Sequence, residues 1–305
     1  MSYHLGTLMR TLFPASGVET FVWLPPTVAL AISFLTSMGG VSGAFLLLPF
    51  QMSVLGFTTP AVSPTNLVFN IVAIPSGVYR YLREGRMVWP LTWTVVAGTL
   101  PGVVAGGLVR LRWLPDPGPF KLFVGCVLLY IGARLLVDGV RGRSAATAKP
   151  DSFLVEVVDF SWRRIAYRFE GAEHSCSSPS IFLLSLAVGL VGGVYGIGGG
   201  AIIAPFFVAV CGLPVHTVAG AALMGTFVTS IAGVVFYQAI VPHFAATGLS
   251  VAPDWALGAL FGLGGVCGMY LGARTQRLIP ARWLKLVMVG LLGFVAVRYL
   301  VGYFI

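Results

Sequence analysis

Long apolar runs alternate with short polar connections along nearly the whole of this chain. The apolar blocks fall at 28–57, 61–82, 88–109, 119–137, 179–212, 214–240, 254–273 and 282–304. Most are close to the about 20 residues that carry a helix through a hydrocarbon layer of about 30 Å. The pattern predicts an all-α polytopic membrane protein. The first block is too long for one straight crossing, since residues 28–57 would build about 45 Å of helix.

Glycine interrupts the block that opens each half. Gly196-Ile197-Gly198-Gly199-Gly200 runs into Ala201 to Pro205, and Gly39-Gly40-Val41-Ser42-Gly43 runs into Ala44 to Pro49. Pro49 and Pro205 set an offset of 156 residues, which Leu55-Gly56 and Cys211-Gly212 share. Gly98, Gly102 and Gly106 then recur as Gly264, Gly268 and Gly272, Lys121-Leu122 as Lys285-Leu286, and Arg134 as Arg298. The chain reads as two four-element repeats, each opening with a glycine-broken or re-entrant helix. The expected organisation is an N-terminal segment at 1–27, membrane repeat 1 at 28–137, a polar linker at 138–178 and membrane repeat 2 at 179–305. Glycines four apart share one helix face, so the two triads are read as packing surfaces.

Composition supports the membrane reading. Apolar residues make up 57% of the chain and charged residues 10%, too few to cover a soluble domain of 305 residues. The net charge of +9 sits in connections, at Arg80, Arg83, Arg86, Arg141, Arg143, Arg274, Arg277, Arg282 and Lys285. That distribution follows the positive-inside rule, and no nucleic acid is expected as a partner. If each opening element is a re-entrant hairpin, the halves are inverted and both basic clusters share the cytoplasmic side. Arg110 and Arg112 then fall outside. The inverted arrangement is favoured on this ground over parallel repeats. The linker holds six acids and six bases, with a short strand pair or interfacial segment suggested near Phe153 and Trp162. Cys126, Cys176, Cys211 and Cys267 lack metal spacing and read as buried free thiols. The first twenty residues show no signal-peptide pattern.

Candidate chemistry is narrowed by what the membrane blocks lack. All ten acidic residues lie in connections or at the ends of blocks. No carboxylate is placed for a proton relay or cation site, and no His/Cys/carboxylate cluster, nucleophile constellation or P-loop is present. Neither a cofactor nor a bound metal is expected. The remaining polar groups are uncharged. Near the breaks stand Ser37, Ser42 and the amides of 198–201, with Ser63, Thr65, Asn66, Asn70, Thr226, Thr229, Ser230 and Gln238 on the following helices. Asn66 and Asn70 are four apart and share a face. Hydroxyls, amides and the positive end of helices starting near Ala44 and Ala201 suit an oxyanion. The expected substrate-binding set is Gly40, Ser42, Gly43, Asn66, Asn70, Gly196, Gly198, Gly199, Gly200, Thr226, Thr229 and Ser230. His216, at the mouth of a span, reads as a structural cap.

At Gly196–Pro205, Pro64-Thr65-Asn66 and Gly220–Ser230 the chain resembles the TauE/SafE family of sulfite and organosulfonate exporters. This family is also called the sulfonate permease superfamily. The resemblance covers about 28 to 303, with Ser42 where the family usually has glycine in the first-half motif. It implies a transporter rather than an enzyme, a small sulfur-containing anion as substrate, and a bacterial plasma (inner) membrane crossed several times. Efflux needs no coupled ion, because an anion leaving a negative interior gains about 2.3 kcal/mol per charge per 100 mV. Export of sulfite, sulfoacetate or a related organosulfonate is the leading expectation. A coupled importer of sulfate, thiosulfate or sulfonate is the alternative within transport, and a membrane assembly factor the alternative from another class. The partners expected are the anion and the lipid bilayer, with a homo-oligomer left open.

Overall fold

The computed structural model describes residues 10–38, 42–83, 85, 87–140, 155–169, 171–200, 202–203, 207, 213, 215–275 and 281–305. Gly40 and Ala201, both named for the site, lie outside the described residues, as does the His216 side chain. The described part is mostly helical. A hairpin of β1 (Arg10–Phe13) and β2 (Val18–Phe21) precedes α1 (Leu24–Met38), α2 (Ala44–Ser53), α3 (Val62–Arg83), α4 (Trp89–Arg112) and α5 (Pro117–Val140). Strands β3 (Glu156–Phe160), β4 (Arg164–Phe169) and β5 (Ala172–Ser177) follow, then α6 (Ser178–Tyr195), α7 (Val215–Phe244), α8 (Trp255–Thr275) and α9 (Ala281–Phe304).

Six of these helices, α4 to α9, are long and apolar enough to cross a membrane. Prolines open several of them, where the missing N–H has no helical partner to lose; Pro90 and Pro179 stand at the first turns of α4 and α6. Side chains such as Leu129, Leu183, Leu263, Tyr270 and Phe294 point outward, as a lipid-facing surface requires. Exposed Trp89 and Trp93 stack at one end of α4 and exposed Trp113 follows the other. Indoles at both ends mark the two interfaces of a bilayer.

The helices pack in exchanged pairs. α1 lies against α8, α6 against α4, α3 against both α8 and α7, α4 against α7, and α5 against α9. Both glycine triads occupy these contacts. A Cβ at Gly98 or Gly102 would stand 2.6 Å from Phe182 O or 2.5 Å from Leu186 O, and one at Gly106 would strike Leu190 O, all on α6. Gly264, Gly268 and Gly272 meet the backbone of α1 in the same way, at Pro26, Leu30 and Phe34. Without a hydrophobic drive inside lipid, such close backbone approach supplies much of the adhesion between helices.

Outside the helices, β3–β4–β5 form an antiparallel sheet of three strands, one more than the pair suggested by the sequence. Ile165, Tyr167 and Phe169 alternate inward along β4, and the Tyr167 hydroxyl meets Thr217 Oγ1 at 2.7 Å on α7. Burial pushes the Tyr167 phenol up to about 12, opposed in part by that hydrogen bond. Asp254 holds the other end of the molecule together. Its Oδ2 accepts from Ser16 N at 3.1 Å and Ser16 Oγ at 2.7 Å, and its Oδ1 caps α8 through Leu257 N at 3.0 Å. The cysteine expectation is corrected in two respects. Cys126 and Cys267 are free but exposed on outer helix faces, and Cys176 in β5 is disulfide-bonded.

Candidate substrate-binding site

The second glycine segment is a turn. α6 stops at Tyr195 because Gly196 adopts φ +84°, and Gly198 follows at φ +78°, a region that side chains with a Cβ rarely enter. The Gly196 and Ile197 amides both reach back to Gly192 O, at 2.8 and 3.0 Å. The chain then folds back along α6, so that a Cβ on Gly192 would strike Gly198 O. In the first half Gly43 returns to α1, where a Cβ would lie 3.0 Å from Ser33 Oγ and 3.3 Å from Thr36 Oγ1. Helix α2 starts there, and Ser42 Oγ accepts from Ala44 N at 3.3 Å.

The polar residues of α3 join these two segments. Asn66 Nδ2 donates to Ala44 O at 3.1 Å and to Gly196 O at 2.8 Å, while its Oδ1 accepts from Gln51 Nε2 at 3.2 Å. One turn later, Asn70 Nδ2 donates to Ile197 O at 2.9 Å and Asn70 Oδ1 accepts from Ser42 Oγ at 3.0 Å. Tyr195 adds a third link, its hydroxyl donating to Phe45 O at 2.7 Å.

Helix α7 closes the other side. Thr229 Oγ1 accepts from Gly199 N at 3.0 Å, and a Cβ on Gly198 would sit 2.8 Å from Thr226 Cγ2 and 3.0 Å from Ser230 Oγ. A Cβ on Gly200 would strike Ala222 O. The structure thus brings Ser42, Gly43, Asn66, Asn70, Gly196, Gly198, Gly199, Gly200, Thr226, Thr229 and Ser230 into one buried cluster.

The hydrogen-bonding state of this cluster differs from the sequence expectation of hydroxyls and amides suited to an oxyanion. Both Asn66 Nδ2 hydrogens and the Gly199 N–H are already used within the protein, because in a water-free interior a turn satisfies its polar groups with its own neighbours. Atoms left without a partner are hydroxyls and one amide oxygen: Ser33 Oγ, Ser63 Oγ, Ser185 Oγ, Ser230 Oγ and Gln51 Oε1. Ser63 lies beside the turn, its Cα 2.6 Å from where a Gly196 Cβ would stand.

Other named residues fall elsewhere. Gln238 is exposed, Ser37 bonds Phe34 O where α1 meets α8, and Thr65 Oγ1 accepts from Asp254 N at 2.9 Å. Sequence reasoning missed Gln51, Tyr195 and Arg110. Gln51 was visible as an amide inside the apolar run of α2, and Tyr195 as the aromatic just ahead of the glycines. Arg110 was assigned with Arg112 to the outer side of the membrane, and it is fully buried. Among the described residues, no group of three or more His, Cys, Asp or Glu is placed to hold a metal.

The model of one protein family, described as sulfite exporter TauE/SafE, matches residues 27–299. The chain belongs to the TauE/SafE family. It is therefore a multi-pass membrane protein of a transporter family, not an enzyme, and sulfite or a related sulfur anion is the solute class that membership indicates. No curated protein and no solved structure matches it. The match takes in both glycine segments and every helix that frames them, so the cluster lies within the part of the chain that defines TauE/SafE membership.

Proposed function

We propose that this TauE/SafE protein exports a sulfur-containing oxyanion, sulfite, sulfoacetate or a related organosulfonate, across the bacterial plasma (inner) membrane. The anion passes between the two glycine segments. The observation that carries this reading is the double bridge of α3: Asn66 and Asn70 each touch both segments, at Ala44 and Gly196 and at Ser42 and Ile197. A site shared by two halves opens to one side or the other when the halves rock against it. Ser42, Gly43, Asn66, Asn70, Gly196, Gly198, Gly199, Gly200, Thr226, Thr229 and Ser230 are the substrate-binding set in this proposal, with Gly40 as the remaining member. The oxyanion takes hydroxyl and amide donors in exchange for the internal carbonyls they now hold.

The reciprocal packing supports the two-repeat reading. α4 carries a glycine triad onto α6, and α8 carries its counterpart onto α1, as a pair of inverted units would. Cysteine labelling at Glu84→Cys and Gln276→Cys, with Cys126 and Cys267 replaced by serine, tests inversion. Opposite accessibility of the two positions rejects it.

Counterflow in proteoliposomes tests the function. Sulfite or sulfoacetate loaded inside should drive exchange of labelled anion without an imposed proton gradient. Uptake that accelerates with acid outside identifies an importer instead, and absence of any anion flux removes the proposal.

A further inference from the structure

Near one end of α4 lies a cation that has no counterpart in the polar cluster. Arg110 is fully buried, and its Nε, Nη1 and Nη2 all lack a hydrogen-bond partner. Its guanidinium carbon stands 3.7 Å from the centre of the Phe120 ring. A face-on aromatic compensates a desolvated guanidinium only in part, and it satisfies none of the five N–H donors. Asp116 is close enough to interact electrostatically, but it is exposed and makes no ion pair with Arg110.

Unused hydroxyls face the same place. Tyr237 on α7 lies within electrostatic reach of the guanidinium and is fully buried, and its hydroxyl meets only that of Ser63, without a well-aligned hydrogen bond. Ser63 on α3 has no partner for its Oγ beyond this contact with Tyr237. Gly107, one turn before Arg110, lets α4 close on α7: a Cβ there would sit 2.6 Å from the Phe236 ring. A buried guanidinium with three unpaired nitrogens, beside two buried hydroxyls that have only each other, matches an acceptor-only ligand carrying negative charge.

We propose that Arg110, Tyr237 and Ser63 form a binding station for a small oxyanion, adjoining the Gly196 turn through Ser63. Arg110 supplies charge and paired N–H groups to two ligand oxygens, and the two hydroxyls donate to the remaining lone pairs. Its identification with the transported sulfur anion rests on the function proposed above; the existence of the station does not. The sequence set for the site is uncharged throughout, so Arg110 supplies the positive charge that selects an anion over a neutral polar solute. On α7, Tyr237 and Ser230 are seven residues apart and share a face. The hydroxyls of Tyr237 and Ser230 thus lead from the station toward Gly198.

The test is thermal-shift titration of the purified full chain with sulfite and with sulfate, at constant ionic strength against chloride. Each titration is repeated with phosphatidylglycerol added, because a lipid phosphate offers the same oxygens. The wild-type protein should show a saturable rise in Tm with sulfite or sulfate in both conditions. Arg110→Gln should weaken apparent affinity by roughly tenfold or more, and Tyr237→Phe by several-fold. Arg110→Lys should recover only part of the loss, having charge without the planar fork. Ligand-free Arg110→Gln should melt no lower than wild type, because it removes an unpaired buried charge.

A lower ligand-free Tm with an undiminished anion response makes Arg110 a structural residue and overturns the station. A response to phosphatidylglycerol alone overturns the small-solute assignment. Wild-type counterflow that persists in Arg110→Gln with unchanged KM leaves the exporter reading standing and overturns the identification of the station's ligand with the transported anion. Arg110-dependent binding without any flux does the reverse.

Discussion

Asn66 donates through Nδ2 to Gly196 O at 2.8 Å, joining the two halves of the chain across 130 residues of sequence. The same nitrogen holds Ala44 O, so one side chain sets the spacing between both glycine segments. Asn66→Ala removes both donors at a buried position, and the loss should reach about 1–3 kcal/mol. Asn66→Asp should be worse, since it aims carboxylate oxygens at two carbonyls. Tm in detergent, followed by intrinsic fluorescence, checks both.

Gly199 has no room for a side chain, because a Cβ would meet Thr99 Cβ at 2.6 Å and Gly189 Cα at 3.2 Å. Gly199→Leu is expected to abolish counterflow while the protein still reaches the membrane, as read from membrane-fraction blots. Full activity in this variant excludes the turn from the transport site.

The glycine triads and the outer glycines should respond in opposite ways. Gly102→Leu drives a side chain into the Leu186 and Leu190 backbone and should destabilise the α4–α6 pair by about 1–3 kcal/mol or more. Gly290 on α9 has nothing within 4 Å, so Gly290→Leu should leave Tm unchanged or raise it. Equal effects at the two positions contradict the packing reading.

Asp254 ties the N-terminal hairpin to the start of α8 through three accepted hydrogen bonds. Asp254→Ala loses a helix cap, worth about 0.5–2 kcal/mol, and frees Ser16 as well. Limited proteolysis should then cut within 10–21 well before the helices are touched. Protection equal to wild type contradicts this.

Tyr167 makes the sheet sensitive to strong alkali. Its phenol is raised to about 12 in the folded protein, against about 10 unfolded. The folded state therefore holds its proton where the unfolded chain has lost it. The contribution is complete below pH 10 and disappears as pH rises through 12. The stability difference between wild type and Tyr167→Phe should shrink across that window, measured by denaturant titration at each pH.

Much of the cluster was legible before any geometry. Ser42, Asn66, Asn70 and the 196–200 glycines stand out because polar groups and glycine breaks inside apolar blocks must be satisfied internally or line a cavity. The structure puts Asn70 and Thr226, both named from the sequence, on either side of the second turn, at Ile197 and at Gly198. Which donors are free was not legible. Asn66 and Asn70 have the same side chain one helical turn apart, yet one has both amide hydrogens bonded to carbonyls on two segments and the other pairs with Ser42 and Ile197.

Local pattern alone determined the membrane class, most of the helices and the packing role of the triads, because hydropathy and spacing along one helix decide these. Tertiary structure decided the fate of each buried polar atom. A cation one turn from the end of a span looks the same in sequence whether it reaches water or turns inward. Arg110 turns inward because Phe120, Tyr237 and Phe236, from two other helices, close around the end of α4. Contacts made at that separation along the chain leave no periodic trace in it.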